Sequence, residues 1–145
     1  MSLIEYIVYK DQTYAVILRS NYNFDGIKFF TPNEFSQQLG YMKHPKDHVI
    51  VPHIHNELPR EVKYTREVIF VKSGKVRVDF YEENKNYLES KIIEKGDFLL
   101  LALGGHGFQM MEKSELIEIK QGPYAGDNDK TKFPNIDKNK IIFKN

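Results

Sequence analysis

The chain has 145 residues, 41% of them hydrophobic and 28% charged, the balance of one folded globular domain rather than of a disordered segment. Its 21 basic and 20 acidic side chains leave a net charge of +1, which argues against a broad basic face for nucleic acid but leaves room for a small basic pocket around one anion. Cysteine is absent, so disulfides, thiolate metal sites and cysteine nucleophiles are excluded.

At the start of the chain, Leu3–Tyr9 reads as a strand suited to pairing with another chain. Met1–Lys10 carries Glu5 and lacks a signal-peptide layout, so a cytoplasmic protein is expected. Thr13–Leu18 is a short apolar strand that gives way to the turn residues of Asn21–Gly26. Thr31-Pro32-Asn33-Glu34 sets a capping threonine before a proline at the first helical position, with a glutamate three residues on. That pattern predicts a short helix over residues 32–39, stopped by Gly40.

The segments Val49–His55, Glu67–Val71, Lys75–Tyr81, Phe98–Leu103 and Leu116–Lys120 follow as short strands, punctuated by turns such as Ser73–Gly74, Lys95–Asp97 and Gly104–Gly105. Aromatics at 13% favour the same half-buried, pleated surfaces. The longest apolar run, Phe98–Leu103, falls far short of the roughly 18 residues of a membrane helix. From residue 123 to 145 the composition shifts to Asp, Asn and Lys, with Phe133, Ile136 and Ile141–Phe143 as scattered anchors. This segment is expected to wrap the surface or, through Lys140–Phe143, to pair with another chain. The expectation is an all-β single domain over residues 1–145, with a barrel core at about 13–122.

Chemistry concentrates at three places. In Pro52-His53-Ile54-His55 the two histidines are two residues apart, so on a strand both imidazoles project from one face. Neutral imidazoles aimed at one point suit a divalent ion; the plain alternative is two histidines on an exposed strand. Glu67 opens Glu67-Val-Ile-Phe-Val-Lys-Ser-Gly74, and alternation puts its carboxylate on the side of Ile69 and Val71. A carboxylate there needs a partner, either a metal or an ion pair with Arg60, Lys63 or Arg66. Finally, Gly96-Asp97 leads into an apolar strand, and Gly104-Gly105 then turns the chain to present His106, either as a ligand or as a loop histidine.

Together these segments, from about His53 to Phe108, resemble the two motifs of the cupin superfamily. Carried over by position, His53 and His55 match the paired ligands, Glu67 the carboxylate, Gly74 the closing turn, Gly96 the start of the second motif and His106 its histidine. The sequence departs from the pattern at Asp47, Ala102 and Met110, and in the eleven residues between His55 and Glu67, where Glu57 and Glu61 offer alternative carboxylates. The resemblance implies a jelly-roll barrel, a double-stranded β-helix, holding a divalent ion (Fe, Mn, Ni, Co or Zn) through His53, His55, Glu67 and His106.

Small cupins of bacterial surface-sugar pathways show a similar Gly105-His106-Gly107-Phe108 turn and a similar later run, Glu118-Ile-Lys120-Gln121-Gly122-Pro123-Tyr124, with Asp127, Asp129 and Lys130. What this implies is a metal-dependent enzyme, an isomerase, epimerase or oxygenase, acting on a sugar or related polar metabolite, and a homodimer. Two alternatives stand beside it: a non-catalytic module that binds a small ligand, and a metal-free isomerase-like barrel using histidine as acid and base. Tyr64 and Gln109 are candidates for hydrogen bonds to the small molecule, and Tyr41, His44 and His48 for the mouth of the site. Arg77 and Asp79 alternate with Val76, Val78 and Phe80 and are expected on a solvated face.

Overall fold

The computed structural model describes residues 2–145. The chain divides into two compact units, one formed by the residues up to Tyr22 together with Tyr64–Asn145, the other by Asn23–Lys63. The first unit contains β1 (Ile4–Tyr9), β2 (Gln12–Leu18), β5 (Glu67–Ser73), β6 (Lys75–Tyr81), β7 (Tyr87–Glu94), β8 (Phe98–Leu101), β9 (Gly105–Met110) and β10 (Glu115–Lys120). The second contains the pair β3 (Gly26–Phe29) and β4 (Gly40–Lys43). The protein is all-β: among the described residues the only helical turns are short 3-10 stretches at Gly126–Asp129 and Lys138–Lys140. Among the described residues no helix is long and apolar enough to cross a membrane.

In the first unit the strands form an antiparallel five-stranded sheet, β1-β2-β8-β5-β10, and a three-stranded sheet, β7-β6-β9, neither closed on itself. Alternation builds the core. Ile7, Ala15, Ile17, Ile69, Val71, Leu99 and Leu101 from the larger sheet meet Val76, Val78, Phe80 and Ile93 from the smaller one. The apolar run that begins at Phe98 becomes β8, the central strand of the larger sheet, paired on both sides with β2 and β5. It reads as continuously apolar because Leu99, Leu100 and Leu101 are all buried, so both of its faces are covered.

One edge of this core is closed by charge. Arg19 donates from Nη1 to Asp97 Oδ2 at 2.8 Å and from Nε to Glu5 Oε1 at 2.7 Å, while Lys91 Nζ lies 3.1 Å from Glu5 Oε2. Asp97, 2% exposed, also accepts the backbone N–H groups of Ser20 and Glu94. Each oxygen of this buried carboxylate is therefore satisfied, which its burial demands.

The expected solvated face of β6 is corrected by the structure. Arg77 and Asp79 are 7% and 4% exposed and form a two-pronged ion pair, Nε to Oδ1 at 2.8 Å and Nη2 to Oδ2 at 3.0 Å. Ser90 Oγ donates to Asp79 Oδ1 at 2.5 Å, and Tyr87 OH contacts Ser90 Oγ at 2.8 Å. The C-terminal segment anchors beside this network. Ser90 N donates to Ile142 O at 2.8 Å, Ile142 N donates to Tyr87 OH at 2.9 Å, and Phe143 bridges to Ser90 in parallel. Residues 123–145 thus run along their own unit as a strap, and β1 pairs with β2.

In the second unit β3 and β4 pair antiparallel from Gly26↔Lys43 to Phe29↔Gly40. The helix expected over residues 32–39 does not form. Thr31 Oγ1 donates to Gln38 Oε1 instead of capping a helix, and Gln38 Nε2 donates to the carbonyls of Pro32 and Phe35 at 2.9 Å each. Those carbonyls would be acceptors in a helix, so the glutamine side chain competes directly with helical pairing. Eight residues also give little return on a costly helical nucleus, and here they serve as the loop of the hairpin.

Val49–His55, expected as a strand, is irregular and exposed along its whole length, with Ile54 90% exposed. A strand requires a neighbour to take its backbone hydrogen bonds, and Pro52 removes a donor from the middle of the segment.

Candidate functional site

The first unit encloses a cavity of about 560 Å³, comparable to known small-molecule sites. Its apolar floor is Leu101, Ala102 and Leu103, its chemical centre is Glu67 and His106, and the strap residues 129–135 form one wall. Glu67 opens β5, opposite Leu101 of β8 and Lys120 of β10, so the same alternation that buries Ile69 and Val71 turns its carboxylate inward. It is 8% exposed.

His106 lies on β9 opposite Phe80 of β6. The glycines before it are needed on steric grounds. Gly104 has φ +71°, and a Cβ there would sit 2.3 Å from Tyr81 O; a Cβ on Gly105 would sit 2.8 Å from the Phe133 ring.

His106 Nε2 lies 3.1 Å from Glu67 Oε2. A carboxylate only accepts, so Nε2 carries the hydrogen and donates, which leaves Nδ1 as the acceptor nitrogen when the ring is neutral. The hydrogen bond from His106 outweighs the opposing effect of burial, and with the charges of His106 and Lys120 it holds the Glu67 carboxyl below its ordinary range. The pair is thus a carboxylate held in its ionised form, able to bind a cation, beside an imidazole able to donate or coordinate.

The other sequence-derived candidates divide. Tyr64 lines the same cavity. Gln109 lies on β9 at odd spacing from His106, opposite Arg77, so it points away from the His106 side; its expected contact with a ligand in this cavity is corrected. In the second unit His53 and His55 have ring centres 5.2 Å apart at 76°, and both side chains are exposed. The carbonyl of Val51 accepts from His53 Nδ1 at 2.9 Å, which fixes the tautomer and leaves Nε2 free to act as a ligand atom. His44 and His48 stack on each other at 3.9 Å. Among the described residues no group of three or more His, Asp or Glu side chains is gathered as an ion would require. The four ligands implied by the resemblance fall into two pairs, Glu67 with His106 in the first unit and His53 with His55 in the second.

Sequence reasoning did not single out Lys132, Thr131, Phe133 or Tyr81, which also line the cavity. They come from an irregular strap and from the outward side of β6, where no periodicity marks them. Only the aromatic anchor Phe133, packed edge-on against Tyr81 at 4.9 Å, left a trace in composition.

No protein-family model, no curated protein and no solved structure matches this chain.

Proposed function

We propose that this is a small cupin-type protein whose cavity takes up a small polar metabolite, with its chemistry at Glu67 and His106. The single observation that carries this reading is the direct contact of these two side chains, 3.1 Å apart inside a cavity of about 560 Å³. Two residues 39 positions apart in sequence, both singled out by the resemblance, meet where a small molecule fits.

In the fuller form of the proposal they are two of four ligands to a divalent ion, with His53 and His55 as the other two by sequence pattern. Three nitrogens and one carboxylate oxygen suit Fe, Mn, Ni, Co or Zn and leave positions open on an octahedral ion. Such an ion would polarise a carbonyl or hydroxyl oxygen of a bound sugar-like molecule, the chemistry of isomerisation or epimerisation. A second reading is favoured by the Nε2–Oε2 hydrogen bond itself: Glu67 as base and His106 as acid, without metal.

Metal analysis of protein purified without added metal tests the two. Stoichiometric metal that is lost in His106→Ala and in His53→Ala supports the four-ligand centre. Metal absent from active protein, with activity lost in Glu67→Gln and His106→Ala but kept in His53→Ala, supports the acid–base pair. Full activity in both Glu67→Gln and His106→Ala rejects the site. We further propose a homodimer, since the outer strands β1 and β10 leave Tyr6, Val8, Ile117 and Ile119 exposed. Light scattering that gives a monomer at high concentration would reject it.

A further inference from the structure

The strap that walls the cavity carries two lysines, Lys130 and Lys132, both among its lining residues. Lys130 is extended, with φ −143° and ψ 150°, and leads into Thr131 and Lys132, which line the cavity with it. Neither lysine has a hydrogen-bond or ion-pair partner among the described residues. The cavity's two carboxylates, by contrast, are engaged. Glu67 accepts from His106, and Asp129 Oδ1 accepts from Thr65 Oγ1 at 2.6 Å.

The strap is held on both sides of the lysines. The Asp129–Thr65 bond fixes it before them, and after them Phe133 packs on Tyr81 and Ile136 N donates to Tyr81 OH at 3.0 Å. Two cations are thus pinned at the wall of a cavity whose own acids are occupied. Positive charge fixed in that way is complementary to an anion.

We infer that the cavity selects a small metabolite bearing a phosphate or carboxylate group, which Lys130 and Lys132 bind while its uncharged portion reaches Glu67 and His106. The apolar floor of Leu101–Leu103 removes water from one side of such a ligand, and Thr131 and Tyr64 add hydroxyl groups for its polar atoms. Lysine is a point charge on a flexible stem, so the pair accepts either a phosphate or a carboxylate; the choice between them is left to the probes. The inference rests on the cavity being the protein's small-molecule site, but not on the presence of a metal.

Calorimetric titration with paired probes tests it: glycerol against glycerol 3-phosphate, glucose against glucose 6-phosphate and against gluconate, and inorganic phosphate alone. In low salt at least one charged probe should bind about tenfold or more tightly than its neutral partner, and added salt should shrink the difference. The variant Lys130→Ala/Lys132→Ala should lose that preference, whereas Lys138→Ala/Lys140→Ala, on the same strap outside the cavity lining, should keep it. Both pairs are solvent-exposed, so matching thermal melts will show that folding is intact. The inference is overturned if no charged probe is preferred, or if Lys130→Ala/Lys132→Ala retains the preference. Metal content, measured in the same samples, reports separately on the four-ligand centre: a metal-free protein with an intact anion preference sinks only that centre.

Discussion

Removing the carboxylate of Asp97 should destabilise the first unit more than any single surface change, although Asp97 touches no ligand in the proposed site. Three donors converge on it: Arg19 Nη1 at 2.8 Å, Ser20 N at 2.9 Å and Glu94 N at 3.0 Å. In Asp97→Ala the guanidinium keeps Glu5, so no lone charge is left, but one charge-assisted bond and two backbone acceptors disappear. Taking about 1.5–3 kcal/mol for the charged bond and about 1 kcal/mol for each stranded N–H gives a loss of roughly 4 kcal/mol. That is a large share of the roughly 5–15 kcal/mol that holds a domain together, and corresponds to a fall in melting temperature of about 10 °C or more. Asp97→Asn sharpens the test. Its amide retains one acceptor oxygen, but its NH2 faces either the Ser20 donor or the two donors at Oδ2, so most of the loss should remain. Urea unfolding of both variants at neutral pH measures it. A loss below about 1 kcal/mol for Asp97→Ala, or wild-type stability for Asp97→Asn, would refute the account of a carboxylate held by three donors.

Three further outcomes are expected. Burial raises the Glu5 carboxyl, but the hydrogen bonds from Arg19 and Lys91 prevail and hold it below its ordinary range. Its stabilising contribution is therefore complete above the ordinary carboxylate range and is lost as pH falls through the lower folded value, so Glu5→Gln should flatten the acid limb of a stability–pH curve. Burial and the 2.8 Å hydrogen bond to Glu83 push the Tyr14 hydroxyl from 10.0 up to about 12. Stability should then hold below pH 10 and fall between about 10 and 12, a drop that Tyr14→Phe should diminish in alkaline melts. Deleting residues 141–145 strips the strap from Ser90 and Tyr87, and should cost about 1–3 kcal/mol by leaving the buried Ser90 N–H without its acceptor, read by urea unfolding.

The strands were legible where local pattern and final packing agree. Lys75–Tyr81 alternates and becomes β6 with the same limits, because its even-numbered apolar residues face the core. Leu116–Lys120 became β10 with one added residue, Glu115. β7 was missed, since Tyr87-Leu-Glu-Ser-Lys-Ile-Ile-Glu carries Glu89 and Lys91 on the core side, where they close its edge with Glu5. Alternation has no means of announcing a charged residue whose partner lies far away in the chain. Arg77 and Asp79 misled for the same reason: their charges are satisfied by each other and by Ser90, which comes from β7.

At the candidate site, Glu67 and His106 were legible because each is set by strand alternation or by a glycine turn, both local. Gln109 was misassigned by ignoring that alternation, which sends it to the side opposite His106. The helix at 32–39 failed on a contest invisible in a capping pattern, since Gln38 can take the carbonyls that the helix would have used.

The buried network under the chain end also bears on the cavity. The strap is fastened at Ile142 to Tyr87 and Ser90, and at Ile136 and Phe133 to Tyr81, beyond and within the cavity wall at residues 129–135. Tyr81 lies next to the site through its own strand pairing, opposite Gly105 and one residue from the Phe80–His106 pair. One aromatic side chain thus positions the wall that carries the lysines while its backbone positions the strand that carries the histidine. The proposed anion-binding wall and His106 are therefore both referenced to β6, whose core face is packed by Val76, Val78 and Phe80 and whose other face holds the paired Arg77 and Asp79. A polar pair buried on the far side of a strand from the chemistry then has a physical reason to be there: it secures the strand against which both halves of the site are aligned.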